Sequence, residues 1–171
     1  MSSRLLQRLD RLARNLIPIA LSTVLVVFSA LPFYIPGYGQ IAANFTLISV
    51  FYWSISRPHL MSPLAIFPVG VFQDIITGMP PGLNALVLIL TRTVVVNQGK
   101  VFHGKSFLVL WWGFAMVALG AETVIWIFQS ALNLTLLNPM SGFVQWALTA
   151  ALFPFVTWFF MRAHQAVIQE D

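Results

Sequence analysis

Apolar runs and polar breaks alternate along this chain with a regular spacing. The first run extends from about Leu16 to Phe33, the second from Ile41 to Ile55 and the third from Met61 to Thr77. A fourth follows a Gly- and Pro-rich turn and continues to Val96, a fifth spans Ser106 to Asn133, and a sixth spans Pro139 to Met161. A helix needs ~20 mostly apolar residues to cross the hydrocarbon core of a bilayer. Six such runs with short connections predict an all-α integral membrane protein, a six-transmembrane-helix bundle over residues 15–162. The second run is short for a crossing and is expected to be tilted or sheltered by its neighbours. Pro18 and Pro63 fall in first turns, where proline is tolerated. Pro68 and Pro154 are interior, and a kink is expected at each.

The breaks alternate in character as well. Pro32, Pro36, Gly37 and Gly39 interrupt the pattern after the first run, and Gly78-Met79-Pro80-Pro81-Gly82 after the third. Neither break carries a basic residue. Arg57-Pro58-His59 follows the second run, and the stretch from Asn97 to Lys105 follows the fourth. All nine Lys and Arg residues lie before the first run, or at or beyond the inner ends of the second, fourth and sixth: Arg4, Arg8, Arg11, Arg14, Arg57, Arg92, Lys100, Lys105 and Arg162. Basic residues are retained on the cytoplasmic side, so this pattern predicts six crossings with both termini in the cytoplasm. Residues 1–14 then form a cytoplasmic segment. Arg4, Arg8 and Arg11 share one helical face there, and Leu5, Leu9 and Leu12 another, which suits either a short amphipathic helix on the membrane surface or a frayed basic tail. Residues 163–171 form a cytoplasmic tail. Bulky Phe28 before Ala30 argues against signal-peptide cleavage, so the first run is read as an uncleaved span.

Composition narrows the function classes. Of 171 residues, 58% are hydrophobic and 8% are charged, against about 25% charged in soluble domains. The spans consume nearly the whole length, which leaves no room for a soluble catalytic domain. The absence of cysteine excludes disulfides, thiolate chemistry and Cys-based metal sites. The formal charge of +4 sits at membrane boundaries, so it points to topology and anionic headgroups rather than nucleic acid. His59, His103 and His164 fall in separate inner segments without metal-ligand spacing. The Gly- and Lys-bearing segment from Gln98 to Lys105 lacks the phosphate-loop pattern. Trp53, Trp111, Trp112 and Trp158 map towards inner boundaries, and Trp126 and Trp146 towards the outer side, as interfacial indoles do. No catalytic, metal or cofactor-binding residues are predicted.

Some polar residues fall inside the apolar runs and need partners, because charge and hydrogen-bonding capacity are expensive in hydrocarbon. Asp74 falls near the outer end of the third run, and Glu122 in the outer half of the fifth. Gln40 and Asn44 begin the second run, Asn84 opens the fourth, Gln129 extends the fifth, and Gln145 lies early in the sixth. All map to the outer half. Glu122 and Gln129 are seven positions apart, on one helical face close to Trp126. The convergence predicts either an outward-facing recess or a polar network that satisfies itself. Arg92, near the inner end of its run, is expected to snorkel to headgroups rather than pair with a distant acid.

The segment Phe67-Pro68-Val69-Gly70-Val71-Phe72-Gln73-Asp74-Ile75-Ile76-Thr77-Gly78-Met79-Pro80-Pro81-Gly82-Leu83-Asn84-Ala85-Leu86 resembles the signature of the rod shape-determining protein MreD family. Its parts have a mechanical reading. Gly70 lets helices approach closely, Asp74 can accept N–H bonds from the turn or the next helix, Gly78 and Gly82 permit unusual backbone angles, and Asn84 offers donor and acceptor beside the turn. The resemblance implies an inner-membrane component of the bacterial elongation machinery. Its implied partners are the scaffold MreC, directly, and MreB, RodA and penicillin-binding protein 2 in the wider assembly. It also implies a fold similar to the substrate-binding components of energy-coupling-factor transporters.

Three functions follow for comparison. The first is a non-enzymatic scaffold that docks MreC and helps organise peptidoglycan synthesis and cell shape. Asn44, Gly70, Asp74, Gly78, Gly82, Asn84, Glu122, Trp126, Gln129 and Gln145 would form its recess or partner contacts. Gly113, Ala118, Gly120 and Ala121 in the fifth run, and Gly142, Ala147 and Ala150 in the sixth, offer close approach to other helices, a second copy of the chain included. The second is a substrate-binding subunit of a vitamin or metal transporter. The third is a membrane enzyme with Asp74 and Glu122 as acid and base, which lacks any accompanying nucleophile or phosphate-binding cluster.

Overall fold

The computed structural model describes residues 18–31, 33–35, 39–99 and 104–168. The predicted amphipathic segment over residues 1–14, together with Lys100 and His103, lies outside them. Among the described residues, six helices carry the fold. They are α1 (Pro18–Ser29), α2 (Phe45–Ser56), α3 (Pro63–Thr77), α4 (Leu83–Asn97), α5 (Phe107–Asn133) and α6 (Pro139–Ile168). By length and apolar composition, α5 and the Pro139–Arg162 part of α6 are able to cross a membrane, whereas α1 to α4 are shorter apolar helices.

The connection between α1 and α2 corrects two predicted boundaries. Strand β1 (Phe33–Ile35) pairs antiparallel with β2 (Gly39–Ile41), with Tyr34 opposite Gln40. Phe33 therefore leaves the first helix, and Gln40 and Ile41 do not begin the second. The helix begins four residues after Ile41, because Asn44 caps it: its Oδ1 accepts the Leu47 N–H at 3.1 Å, satisfying one of the free donors at a helix start. Ser62 does the same for α3 through the Ala65 N–H. Helices α3 and α6 each continue through their interior prolines, Pro68 and Pro154.

Burial ranks the helices. Eight of the twelve residues of α2 are buried, against six of the twenty-seven of α5, so α2 is the central helix and α5 faces outward along most of its length. Around α2 the core is aromatic. Phe51 meets Phe114 of α5 edge-on at 5.2 Å and Phe153 of α6 at 5.8 Å, and Phe114 and Phe153 stack at 4.3 Å. Apolar burial gives helices little driving force in lipid, so packing and hydrogen bonds between them carry the association. Helix α1 is held to α2 by hydroxyls in antiparallel order: Ser22 with Ser49 at 2.8 Å and Ser29 with Thr46 at 3.2 Å. Helices α5 and α6 exchange indole bonds. Trp111 Nε1 donates to the Ala150 carbonyl and Trp146 Nε1 to the Ala115 carbonyl, each at 2.8 Å. These two indoles thus serve an interhelical seam, and Trp53 is buried in the core, whereas Trp112 and Trp158 are exposed. Arg92, expected to snorkel to headgroups, also makes a bond within the protein. Its Nε donates to the Met61 carbonyl at 2.8 Å, tying α4 to the residues just ahead of α3, because that carbonyl precedes the helix and has no partner within it.

Candidate functional site: a clasped hairpin and a polar cavity

Helices α3 and α4 form a hairpin whose tip is held by one carboxylate. Asp74 is fully buried. Its Oδ2 accepts the Gly82 N–H at 2.7 Å, and its Oδ1 accepts both the backbone N–H and the side-chain Nδ2 of Asn84 at 2.9 Å. Three donors around one carboxylate offset the cost of burying it. Geometry at both ends of the turn permits the clasp. Gly78 ends α3 with φ 69° and Gly82 precedes α4 with φ 98°, left-handed values that side chains with a Cβ resist. The Gly78 and Met79 N–H groups both return to the Asp74 carbonyl. One turn earlier, Gly70 lies against Ala85. A Cβ at Gly70 would stand 2.6 Å from the Ala85 nitrogen and nearer still to its Cα, so only glycine allows this helix separation.

The remaining predicted residues gather elsewhere. A cavity of about 630 Å³ opens at one end of the bundle, lined by Asn44, Asn84, Glu122, Trp126, Gln129 and Gln145 among others. The end of α1, the start of α2, the end of α3, the start of α4, the second half of α5 and the first half of α6 all contribute to its wall. Successive helices therefore run in alternate directions. Gly70, Asp74, Gly78 and Gly82 do not line the cavity, and the Asp74 carboxylate connects to it through Asn84. The two acids thus have different surroundings: Asp74 is engaged in the clasp and Glu122 stands in the cavity wall. The cavity exists because α2 is short. The central helix ends at Asn44, and its neighbours continue past that level.

Asn44 joins the parts. Its backbone N–H donates to Thr149 Oγ1 of α6 at 3.0 Å, its Oδ1 also accepts from Gln73 Nε2 at 3.3 Å, and its side chain interacts with the Glu122 carboxyl. Trp126 presents its ring to the cavity while its Nε1 donates to the Leu137 carbonyl at 3.0 Å, pinning the turn between α5 and α6. In the same turn Leu134 ends α5 in a left-handed conformation. The Gln129 amide is directed at Met79 Sδ of the α3–α4 turn. Gln73 is a wall residue that the sequence reading passed over. It is 4% exposed and three positions beyond Gly70, on the face that meets α4 (the signal that could have identified it). Ser29, Thr77, Asn138 and Ser141 also line the cavity, and their small hydroxyls and amide give no pattern in a single sequence.

A body of apolar helices, two of them of membrane-crossing length, with a polar cavity and a fastened hairpin, is the architecture of a helical protein suited to a membrane. A family model described as rod shape-determining protein MreD matches residues 9–163. The chain belongs to that family, and its role lies in the determination of rod shape. No curated protein and no solved structure matches the chain.

Proposed function

We propose that the chain crosses the bacterial inner membrane six times, with residues 1–14 and 163–171 in the cytoplasm, and acts without chemistry of its own as a scaffold of the elongation machinery. On this reading the cavity end faces the periplasm and docks MreC. MreB, RodA and penicillin-binding protein 2 belong to the wider assembly, whose peptidoglycan synthesis the scaffold helps organise. The observation that carries the reading is the sorting of polar groups between the two ends. Polar side chains meet at the cavity, none of the described ones basic, whereas Arg57 ends α2 and Arg92 lies near the end of α4, both away from it. The clasp supports it too. A hairpin tip fixed by Asp74, Gly78 and Gly82 offers a partner a preformed surface, which lowers the ordering cost of binding. An acid already bonded to three donors is a poor general base, which weighs against an enzyme that uses Asp74.

The test is co-purification of MreC with the intact chain, and with Asp74→Leu and Trp126→Ala, alongside reporter fusions at both termini. Association that survives both substitutions unchanged would remove the cavity end from the interface. A terminus found in the periplasm would overturn the topology. The enclosed volume keeps a second reading open, a substrate-binding subunit of a transporter, because 630 Å³ is within the range of small-molecule sites. Ligand-dependent stabilisation together with an associated ATPase would favour it.

A further inference from the structure

The cavity wall holds two buried polar atoms without a hydrogen-bond partner among the described residues, Gln73 Oε1 and Glu122 Oε1. Both are acceptors, and their residues are only 4% and 6% exposed. The orientation of Gln73 is set by a backbone group. The Leu47 N–H must meet an acceptor, which places Asn44 Oδ1 toward α2. Gln73 can then approach that oxygen only with its NH2 group, and its carbonyl is left over. The donors at the start of α2 are accounted for: Asn44 N–H by Thr149, Phe45 N–H by the Ala43 carbonyl, Thr46 N–H by Ser29 Oγ and Leu47 N–H by Asn44. This helix start therefore offers nothing to an anion, although helix N-termini often do. Among the described residues, no Lys, Arg or His lines the cavity. Around the two acceptors the wall is apolar on several sides, with Ile41, Ile76, Ile125, Leu137 and the Trp126 ring.

We propose that this cavity binds a cationic hydrogen-bond donor, a guanidinium or primary ammonium on a compact apolar stem, with Glu122 and Gln73 as its acceptors and Trp126 beside the stem. A buried acceptor without a partner is costly, and a carboxylate more so. A cationic donor can hydrogen-bond both acceptors and also balance the charge of an ionised Glu122, whereas a neutral donor supplies only the hydrogen bonds. Both residues line the cavity, so a guest that reaches these oxygens needs only a local adjustment of the wall. Trp126 adds the attraction of an aromatic face for cations. The proposal rests on the cavity end being open to the periplasm. The group is carried either by a Lys or Arg side chain of a docked protein or by a free small molecule.

The probe is n-butylguanidinium, with n-butylurea as its neutral isostere, added to the full chain in nanodiscs of phosphatidylcholine and phosphatidylglycerol, which contain no primary amine. Saturable thermal stabilisation by the guanidinium, at least tenfold weaker with the urea and at least tenfold weaker in Glu122→Gln, is expected. Gln73→Met gives an independent reading should Glu122→Gln fold poorly, with a smaller loss of affinity expected. Equal responses to the two probes, no saturable response, or wild-type affinity in the variants would overturn the proposal. A photo-crosslinker at Gln145 in cells separates the sources. A crosslinked polypeptide joined through a Lys- or Arg-bearing segment identifies the side chain. A cationic small molecule retained in native mass spectra identifies the free ligand. Recovery of neither overturns the proposal. Labelling of Gln145→Cys by an impermeant thiol reagent reports the orientation separately. If it stays unlabelled while butylguanidinium still binds, the periplasmic reading fails and the cation site stands.

Discussion

Truncating Asp74 to alanine would strand the Gly82 N–H, the Asn84 N–H and the Asn84 side-chain amide. The site is fully buried, so water is a poor substitute. Each stranded donor costs ~1–3 kcal/mol, but the three share one carboxylate and their losses do not sum in full. A total of roughly 3–5 kcal/mol is expected, the range for breaking a buried charged contact. For a chain of this size 1 kcal/mol moves Tm by ~2–4 °C, so Asp74→Ala should lower it by roughly 6–20 °C. Asp74→Asn keeps the shape and one acceptor oxygen but turns an NH2 group toward a donor, so it should fall between. The assay is thermal unfolding of the purified full chain in detergent. Thr123→Ala is the control, because this exposed hydroxyl bonds only within its own helix, to the Leu119 carbonyl. The expected order of loss is Asp74→Ala, then Asp74→Asn, then the control. If Asp74→Ala matched the control within about 2 °C, the clasp would not be holding the hairpin.

Gly70→Ala should cost about 1–3 kcal/mol as an overpacking change, at the upper end because the obstacle is the Ala85 backbone; Gly120→Ala, which meets open space, should cost nothing measurable in the same scan. Gly78→Ala places a Cβ at φ 69° and should lose ~1–2 kcal/mol, read as a lowered midpoint with unchanged helicity by circular dichroism. Trp111→Phe and Trp146→Phe each remove one bond across the α5–α6 seam at ~1 kcal/mol, and a double-mutant cycle should give a non-zero coupling because both bonds set the same helix separation. Arg92→Met releases the Met61 carbonyl and should speed limited proteolysis between Arg57 and Ser62 without altering the cavity end.

The hairpin is readable from sequence because its determinants are local. Asp74, Gly78, Gly82 and Asn84 lie within eleven positions, and two glycines around a proline pair leave few ways to turn. Helices α5 and α6 are readable for another reason, since their apolar runs are too long for a short element. The β1–β2 ladder is hidden because Phe33-Tyr34-Ile35 continues the apolar run before it, and pairing is a property of two segments. The cavity is legible only as a tendency of polar residues towards one end. Which of them share a wall depends on where α2 stops, and that is set by Asn44 meeting Thr149, 105 positions away. Gln73 shows the same limit, because beside Asp74 it reads as part of the turn, whereas the helix directs it to Asn44.

The unequal helices have a consequence for the surrounding lipid. At 1.5 Å per residue, the fifteen residues of α3 or α4 rise only ~22 Å, whereas the twenty-seven of α5 rise ~40 Å. A hydrocarbon layer ~30 Å thick fits neither flank. On the proposed six-crossing topology, acyl chains beside the hairpin would compress or let headgroups sink, and those beside α5 would stretch or let the helix lean. The protein would therefore sit in the bilayer as a wedge with a thin side and a thick side. Neighbours with short apolar segments would gather along the hairpin without touching any specific residue, drawn by relief of the membrane's own deformation.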